Sequence, residues 1–275
     1  MRRVAQPGVQ RPTTPDARQL AAFYSSGAHD YRRLWSPQLL GVSRPLLDEL
    51  PWGEARLVLD VGTGVGALLP EVKSRAPAAT VVGIDVAEGM LALGPRSFPL
   101  AVMDATRLAF KERTYDLGLF AFVLFHLPSP LTALRNMARA LKRGGTVATI
   151  TWGDDPRYPA YDVWSEELDR LGAAPALGAI SRHDLVDTPA KLEAMFAEAG
   201  FVAIRTWMGT YENRMTSEKF MQHRLGHGMS RYRFESLAPD GRRQCLARVS
   251  TRLEDLSAED FVDRAEVVYA VGRAH

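Results

Sequence analysis

Cysteine is almost absent from this chain, which has one, Cys245, among 275 residues. A single thiol excludes an intramolecular disulfide and any metal cluster built on cysteine ligands. Long apolar runs are lacking too, because the longest, residues 117–125, is far shorter than the roughly 20 residues of a membrane-spanning helix. Residues 1–15 contain no apolar core of a signal peptide. We therefore expect a cytoplasmic protein with no membrane span.

An excess of charge of one sign is also missing. The chain has 34 Lys and Arg residues against 32 Asp and Glu residues, a formal net charge of +2. This balance does not indicate a nucleic-acid partner. Residues 219–252 carry a local excess of basic residues, for which a solvated helix face is the usual explanation. The length and the 46% apolar content fit one α/β domain with insertions.

What the sequence does contain is a glycine-rich turn between a strand and a helix. Residues 57–61 form a short apolar run, typical of a strand that is covered on both faces. Gly62, Gly64 and Gly66 follow, and glycine lets the backbone come close to a ligand. A helix begins near Leu68, so its first N–H groups and its dipole would face an anionic group. This pattern predicts a nucleotide-type ligand.

The spacing of the glycines distinguishes between ligand classes. A dinucleotide fingerprint has its third glycine three residues after the second, but here Gly66 follows Gly64 by two. A phosphate-binding loop requires Gly-Lys-Ser/Thr, and neither Lys nor Ser/Thr follows Gly66. The Asp-x-Gly-x-Gly-x-Gly pattern that begins at Asp60 instead resembles the first motif of the class I S-adenosylmethionine (SAM) dependent methyltransferases.

Three further segments agree with this resemblance. Residues 80–85 are predicted as the next strand and end in Asp85, whose carboxylate could accept bonds from both ribose hydroxyls, although that feature would fit NAD as well. Residues 99–105 end in Asp-Ala. Residues 115–128 resemble the fourth strand and the substrate-facing turn of the family. The resemblance covers residues 57–152 and is closest to the small-molecule methyltransferases of ubiquinone and menaquinone biosynthesis.

The resemblance implies a Rossmann-like α/β fold with a seven-stranded, mostly parallel sheet whose last strand is antiparallel. It also implies N-terminal helices over the SAM site and a helical substrate cap. The expected segments are a flexible N-terminus (1–15), the N-terminal helices (16–50), the SAM-binding core (51–152), a cap insertion (153–188), and the C-terminal part of the sheet (189–275) with a helical cap insertion at about 210–264.

SAM is the cofactor that the resemblance implies. Asp85 would bind the ribose, Asp104 the adenine amino group, and the backbone N–H of Ala105 a ring nitrogen. Tyr24 and Tyr31 have the reach to close over the site, although packing of the helices is an equally good explanation. The expected cofactor residues are Tyr31, Asp60, Gly62, Thr63, Gly64, Asp85, Val86, Met90, Asp104, Ala105 and Ala121.

Three histidines are candidate catalytic residues. His126 follows the predicted central strand, where its imidazole could take a proton from an acceptor or could simply shape the turn. His223 and His227 lie four residues apart on a predicted helix, a spacing that suits metal binding, pocket lining or an alternative base. Because no third ligand can be named, we predict no metal site.

The sequence thus predicts a methyltransferase that transfers the methyl group of SAM to an O, N or C atom of a small-molecule acceptor by in-line displacement. Residues 120–123, Phe-Ala-Phe-Val, replace an Asn-Pro-Pro-Tyr signature and argue against the DNA and glutamine amino-methylating branches. Two alternatives stay open: a SAM-binding protein with non-methylating chemistry, and an RNA or protein methyltransferase. The sequence does not predict the oligomeric state.

Overall fold

A seven-stranded sheet lies at the centre of the protein, of which the computed structural model describes residues 15–153, 157–177 and 182–275. The strands are β1 (Leu57–Val61), β2 (Thr80–Asp85), β3 (Leu100–Val102), β4 (Tyr115–Ala121), β5 (Leu141–Trp152), β6 (Phe201–Arg214) and β7 (Val262–Ala274). Their order is β3-β2-β1-β4-β5-β7-β6. Strands β1 to β5 are parallel, and β7 is antiparallel to both β5 and β6. This confirms the predicted Rossmann-like sheet.

Helices flank the sheet and extend beyond its carboxyl edge. They are α1 (Pro15–Ser26), α2 (Ala28–Asp30), a π-helical turn (Tyr31–Trp35), α3 (Ser36–Asp48), α4 (Leu68–Arg75), α5 (Glu88–Leu91), α6 (Pro130–Ala140), α7 (Pro159–Arg170), α8 (Pro189–Glu198), α9 (Ser217–Gly226), α10 (Gly228–Glu235) and α11 (Pro239–Glu254). The predicted flexible segment 1–15 lies outside the described residues except for Pro15, which begins α1. No helix in the described part of the chain is long and apolar enough to cross a membrane.

The central strands carry continuous apolar runs because both of their faces are covered. Val58 and Leu59 of β1 have no exposed surface. Helices α4 and α6 contribute Leu69, Leu134 and Met137 to the same core, and these side chains are equally buried. Burial on both faces is the usual environment of a parallel sheet, and it holds the carboxyl ends of β1 and β4 rigidly at one edge.

Strands β6 and β7 run on past that edge. The last residue of β5, Trp152, is opposite Val267, whereas β7 already begins at Val262, five residues earlier, and pairs there with Arg214. The two strands therefore extend by about 17 Å beyond β5. The helical insertion that they carry begins at Ser217, later than the predicted boundary near 210, because β6 continues to Arg214.

We use the name cap for α7 together with α9, α10 and α11. These helices share a second apolar cluster that includes Trp164, Phe220 and Cys245, all with 1% of their surface exposed or less. Glu167 of α7 is 2% exposed and accepts hydrogen bonds from Arg248 and Arg252 of α11. The cap is thus assembled from two segments that are far apart in the chain.

Candidate active site

A cavity of about 730 Å³, a volume that includes space open to solvent, lies at the carboxyl ends of β1, β2 and β4, beneath α1 and the π-helical turn. The expected cofactor residues that line it are Tyr31, Gly62, Gly64, Asp85, Val86, Met90, Asp104, Ala105 and Ala121. Phe122, Val123, Leu127 and Pro128, from the turn that was expected to face the substrate, also line it. Further lining residues that were not among the expected cofactor residues are Ala17, Leu20, Val61 and Met103.

The glycine turn needs its glycines at two of these positions. Gly62 and Gly64 have φ angles of 70° and 57°, which disfavour any side chain. A Cβ on Gly62 would lie 2.3 Å from a Val123 methyl carbon, and one on Gly64 would lie 3.2 Å from the methyl carbon of Met90. The turn is therefore shaped as a narrow backbone cradle on the cavity wall.

Asp85 ties this cradle to the end of β2. Its Oδ2 accepts a hydrogen bond of 2.8 Å from the Gly64 N–H, and its Oδ1 accepts one of 2.8 Å from the Ala87 N–H. Burial raises the pKa of Asp85, and the backbone donors oppose this effect. Each carboxylate oxygen keeps lone pairs for a further donor from the cavity.

Asp104 is fixed by its own loop. Its Oδ1 accepts hydrogen bonds from the Thr106 N–H, at 2.8 Å, and from the Thr106 hydroxyl, at 2.7 Å. The carboxylate thereby caps a short 3-10 turn over Ala105–Arg107. Asp104 is 6% exposed, and it lines the cavity together with Ala105. The expected strand-end acids, Asp85 and Asp104, thus share one wall.

Asp60 and Thr63 lie behind that wall, in an adjoining cavity of about 380 Å³ that shares Tyr31 and Gly62 with the first. The Thr63 hydroxyl donates to Asp60 Oδ2 at 2.6 Å, while Oδ1 is buried with no hydrogen-bond partner among the described residues. Burial raises the pKa of Asp60 to about 7. A buried acid with an unused oxygen is suited to a cationic or donor group.

His126 ends a short 3-10 turn that follows β4 and lines the cavity. Its Nε2 lies 2.7 Å from the hydroxyl of Tyr24 on α1, a hydrogen bond whose donor depends on the histidine tautomer. Burial raises the pKa of Tyr24 well above its ordinary value, and nearby Tyr31 and Asp85 add to this effect. This pair joins the N-terminal helix to the turn after β4.

Neither His223 nor His227 lines the cavity or the adjoining one. Helix α9 ends at Gly226, so His227 has extended backbone and its ring lies 5.1 Å from the Tyr31 ring. The Gln38 amide donates to His223 Nε2 at 3.0 Å, which requires a neutral imidazole. Burial lowers the pKa of both histidines to about 4. Within the described ranges, no group of three or more His, Cys, Asp or Glu side chains could hold a metal ion.

The fold and the cavity define an α/β protein with a nucleotide-type site at the carboxyl edge of its sheet. Residues 59–149 match a family described as a methyltransferase domain. The chain therefore contains a class I SAM-dependent methyltransferase domain, and SAM is the cofactor that this family implies.

Curated relatives match about half of the chain. Aklanonic acid methyltransferase of Streptomyces sp. strain C5 is 31% identical over 140 residues, 48% of this chain and 64% of that protein. Demethylmenaquinone methyltransferase of Corynebacterium kroppenstedtii is 33% identical over 144 residues, 52% of this chain and 59% of that protein. The matched region thus spans less than two thirds of either relative.

Solved structures extend the similarity to the fold as a whole. The crystal structure of the cyclase SpnF covers 96% of this chain and 98% of its own, with a TM-score of 0.56 and 17% sequence identity. This likeness concerns the fold alone. The family match at residues 59–149 runs from β1 to β5 and so includes the strands whose carboxyl ends form the cavity.

Proposed function

We propose that the protein is a SAM-dependent methyltransferase that transfers a methyl group to an O, N or C atom of a small-molecule acceptor by in-line displacement. The observation that carries this proposal is the convergence of Gly64, Asp85 and Asp104 on one cavity at the carboxyl edge of the sheet. As part of the proposal, the protein acts in the cytoplasm and its acceptor is not a nucleic acid.

The residues present fit SAM. In this proposal Asp85 accepts from the ribose hydroxyls, and Asp104 Oδ2 accepts from the adenine amino group beside the Ala105 N–H. The unused Oδ1 of Asp60 in the adjoining cavity suits the ammonium group of the methionine end. The narrow backbone cradle at Gly64 leaves room for the ligand where a side chain would fill it. When bound, SAM supplies an activated methyl group on a sulfonium.

The chain's own residues then position the acceptor and manage its proton. His126 and Tyr24 stand at the cavity as a hydrogen-bonded pair, and a neutral imidazole there could take a proton from an acceptor hydroxyl or acidic C–H. Such a base matters only for a poorly nucleophilic acceptor, because orientation alone provides a large part of the acceleration.

The covering of the cavity by side chains favours a small-molecule acceptor over a macromolecular one. Tyr24 and Tyr31 reach over the cavity from the N-terminal helices, and His227, between α9 and α10 of the cap, packs on both rings at 5.3 and 5.1 Å. A macromolecular surface would have to displace both layers. The basic residues of the cap also argue against RNA docking, because most of them form ion pairs with acids of the cap itself: Arg231 with Glu235, Arg233 with Asp169, Arg243 with Asp240, and Arg248 and Arg252 with Glu167.

Two measurements test the proposal. Calorimetry should detect binding of SAM and of S-adenosylhomocysteine, and the absence of both would refute the cofactor site. Incubation with methyl-labelled SAM and cell extract, followed by separation by size, should place the label in small molecules. Label in RNA or protein would favour a macromolecular acceptor. Binding without any transfer would favour a non-methylating catalyst. The cyclase SpnF has a similar fold and is named for a reaction other than methyl transfer.

A further inference from the structure

The side chain of His227, between α9 and α10 of the cap, lies among aromatic rings of the N-terminal helices. His227 is 5% exposed. Its imidazole lies 5.7 Å from the ring of Phe23, 5.3 Å from that of Tyr24 and 5.1 Å from that of Tyr31. These three partners belong to α1 and to the π-helical turn. His227 is therefore a point at which the cap rests on the cover of the cavity.

Glycines on both sides make room for this contact. His227 has extended backbone, and the residue before it, Gly226, would place a Cβ only 2.3 Å from a methyl carbon of Leu34. On the facing side, a Cβ on Gly27 would lie 2.6 Å from His227 Nδ1. Gly27 has a φ of −106°, which other residues also adopt, so the space it leaves matters more than its conformation. The two glycines thus fix how closely the imidazole approaches α1.

The imidazole of His227 is neutral when it packs there. Burial lowers its pKa to about 4, the Arg231 guanidinium lowers it further, and the Asp30 carboxylate opposes both effects. Arg231 and Asp30 also approach each other, at 3.9 Å. A neutral imidazole packs on phenol rings without the cost of burying a charge. His227 therefore acts on its neighbours by packing.

The two tyrosines that His227 contacts are those that reach the cavity. Tyr24 is hydrogen-bonded to His126 Nε2 at 2.7 Å. Tyr31 lies against the glycine turn, because its Cε1 is 3.8 Å from the Cβ position of Gly64. The two tyrosine rings are 5.9 Å apart. Loss of the imidazole would free one side of each ring and allow other rotamers.

We propose that His227 is a positioning residue that holds Tyr24 and Tyr31 over the cavity, so that Tyr24 stays bonded to His126. His227 itself touches neither the cofactor nor the acceptor. The cap thereby supports the candidate base from outside the cavity. This inference rests on the proposed function, because it assigns a residue to the same site.

NMR of the full-length protein with isotope-labelled histidine tests the proposal. The Nε2 signal of His126, assigned by its loss in His126→Gln, depends on the hydrogen bond of that nitrogen. Tyr24→Phe gives the position of this signal without the bond. His227→Ala should move the signal most of the way to that position, and His227→Phe, which keeps an aromatic ring, should restore it. His29→Ala, which removes an exposed histidine of α2, should leave it unchanged.

A second pair of variants disturbs the same contact from the other side. Gly27→Ala should displace the His227 ring and move the His126 signal in the same direction as His227→Ala does. Gly41→Ala in α3 is the matched control, since no atom lies within 4 Å of its Cβ position. An unchanged His126 signal in folded His227→Ala overturns the proposal. If His227→Ala does not fold, an unchanged signal in Gly27→Ala overturns it instead.

Titration with S-adenosylhomocysteine separates this inference from the proposed function. His227→Ala should bind it about three to ten times more weakly than the unmodified protein does, because the tyrosine rings must then be ordered on binding. Equal affinity would overturn the role of His227 at Tyr31. Absence of binding by the unmodified protein would refute the cofactor site, whatever the His126 signal shows. Binding together with an unchanged His126 signal in His227→Ala would refute the positioning role alone.

Discussion

The cavity wall at the carboxyl edge of the sheet and the cap are held together in different ways. The wall is built largely from backbone groups and neighbouring residues, such as the Gly64 and Ala87 N–H groups that bond Asp85. The cap depends on side chains from distant parts of the chain, as in the contact of Glu167 with Arg248, 81 residues later. The cofactor site is thus fixed by local geometry, and the acceptor side is fixed by long-range charge and packing.

The largest effect is expected where the local geometry leaves no space. Gly62→Ala should weaken S-adenosylhomocysteine binding or folding by about 3–5 kcal/mol, because the new Cβ meets Val123 at 2.3 Å and the φ of 70° disfavours alanine. Gly144→Ala is the matched control, since Gly144 has a φ of 71° but no atom within 4 Å of its Cβ position. Calorimetry measures the loss of binding and thermal unfolding measures the loss of stability in each variant. Equal losses in Gly62→Ala and Gly144→Ala would contradict the steric requirement for glycine at position 62.

The buried acid behind the wall predicts a pH dependence of folding. The pKa of Asp60 is raised from 3.8 to about 7, so its contribution to stability is full below about pH 4 and is lost as the pH rises through about 7. Relative to Asp60→Asn, the unliganded protein should lose up to about 4 kcal/mol between these limits. Thermal unfolding from pH 5 to 8 measures this pH dependence of stability. Parallel curves for the unmodified protein and Asp60→Asn would rule it out.

Glu167→Gln tests the cap independently of the wall. It should lower the free energy of unfolding by about 2–3 kcal/mol, because it removes a carboxylate of 2% exposure from three arginines that are themselves partly solvated. The pKa of Glu167 is lowered to about 2, so this stabilisation is lost as the pH falls from about 4.5 towards 2. Glu166→Gln, an exposed neighbour, should cost less than about 1 kcal/mol. Affinity for S-adenosylhomocysteine should stay the same in both variants, and a loss of affinity would show that the two regions are coupled.

Asp85→Ala should weaken SAM binding by about 1–3 kcal/mol through the loss of charged hydrogen bonds to the ribose. Asp187→Ala, which removes a surface acid paired with Lys191, provides the control. Unchanged SAM affinity in the Asp85 variant, measured by calorimetry, would mean that the ribose lies elsewhere.

The same contrast explains how far the sequence could predict this protein. The glycine turn and the strand-end acids Asp85 and Asp104 are local patterns, and the structure places them on one cavity. The hydrogen bond between Tyr24 and His126 joins residues 102 positions apart, and no local pattern reports such a contact. The order of the sheet could be predicted only because the resemblance supplied it.

In the cap region, the end of one helix could have been predicted better from the sequence, whereas the end of one strand could not. Helical spacing does not apply to His223 and His227, because glycines flank His227 on both sides and Gly228, with a φ of 78°, separates α9 from α10. The end of β6 is mostly polar, which is typical of a loop, but its residues pair with β7 as far as Arg214. Tertiary pairing there overrides the local pattern.

At the π-helical turn Tyr31–Trp35, the number of residues in the chain determines which face of α1 lies over the site, even if every site residue keeps its identity. The Ser36 N–H donates to the carbonyl of Tyr31, five residues earlier, so this turn holds one residue more than an α-helical turn. Removing one residue would rotate everything before it by about 100° relative to α3. Tyr24 would then leave His126, although no residue of the site had been substituted. Relatives that differ by a single insertion in this turn would present a different face of α1 to the same cofactor.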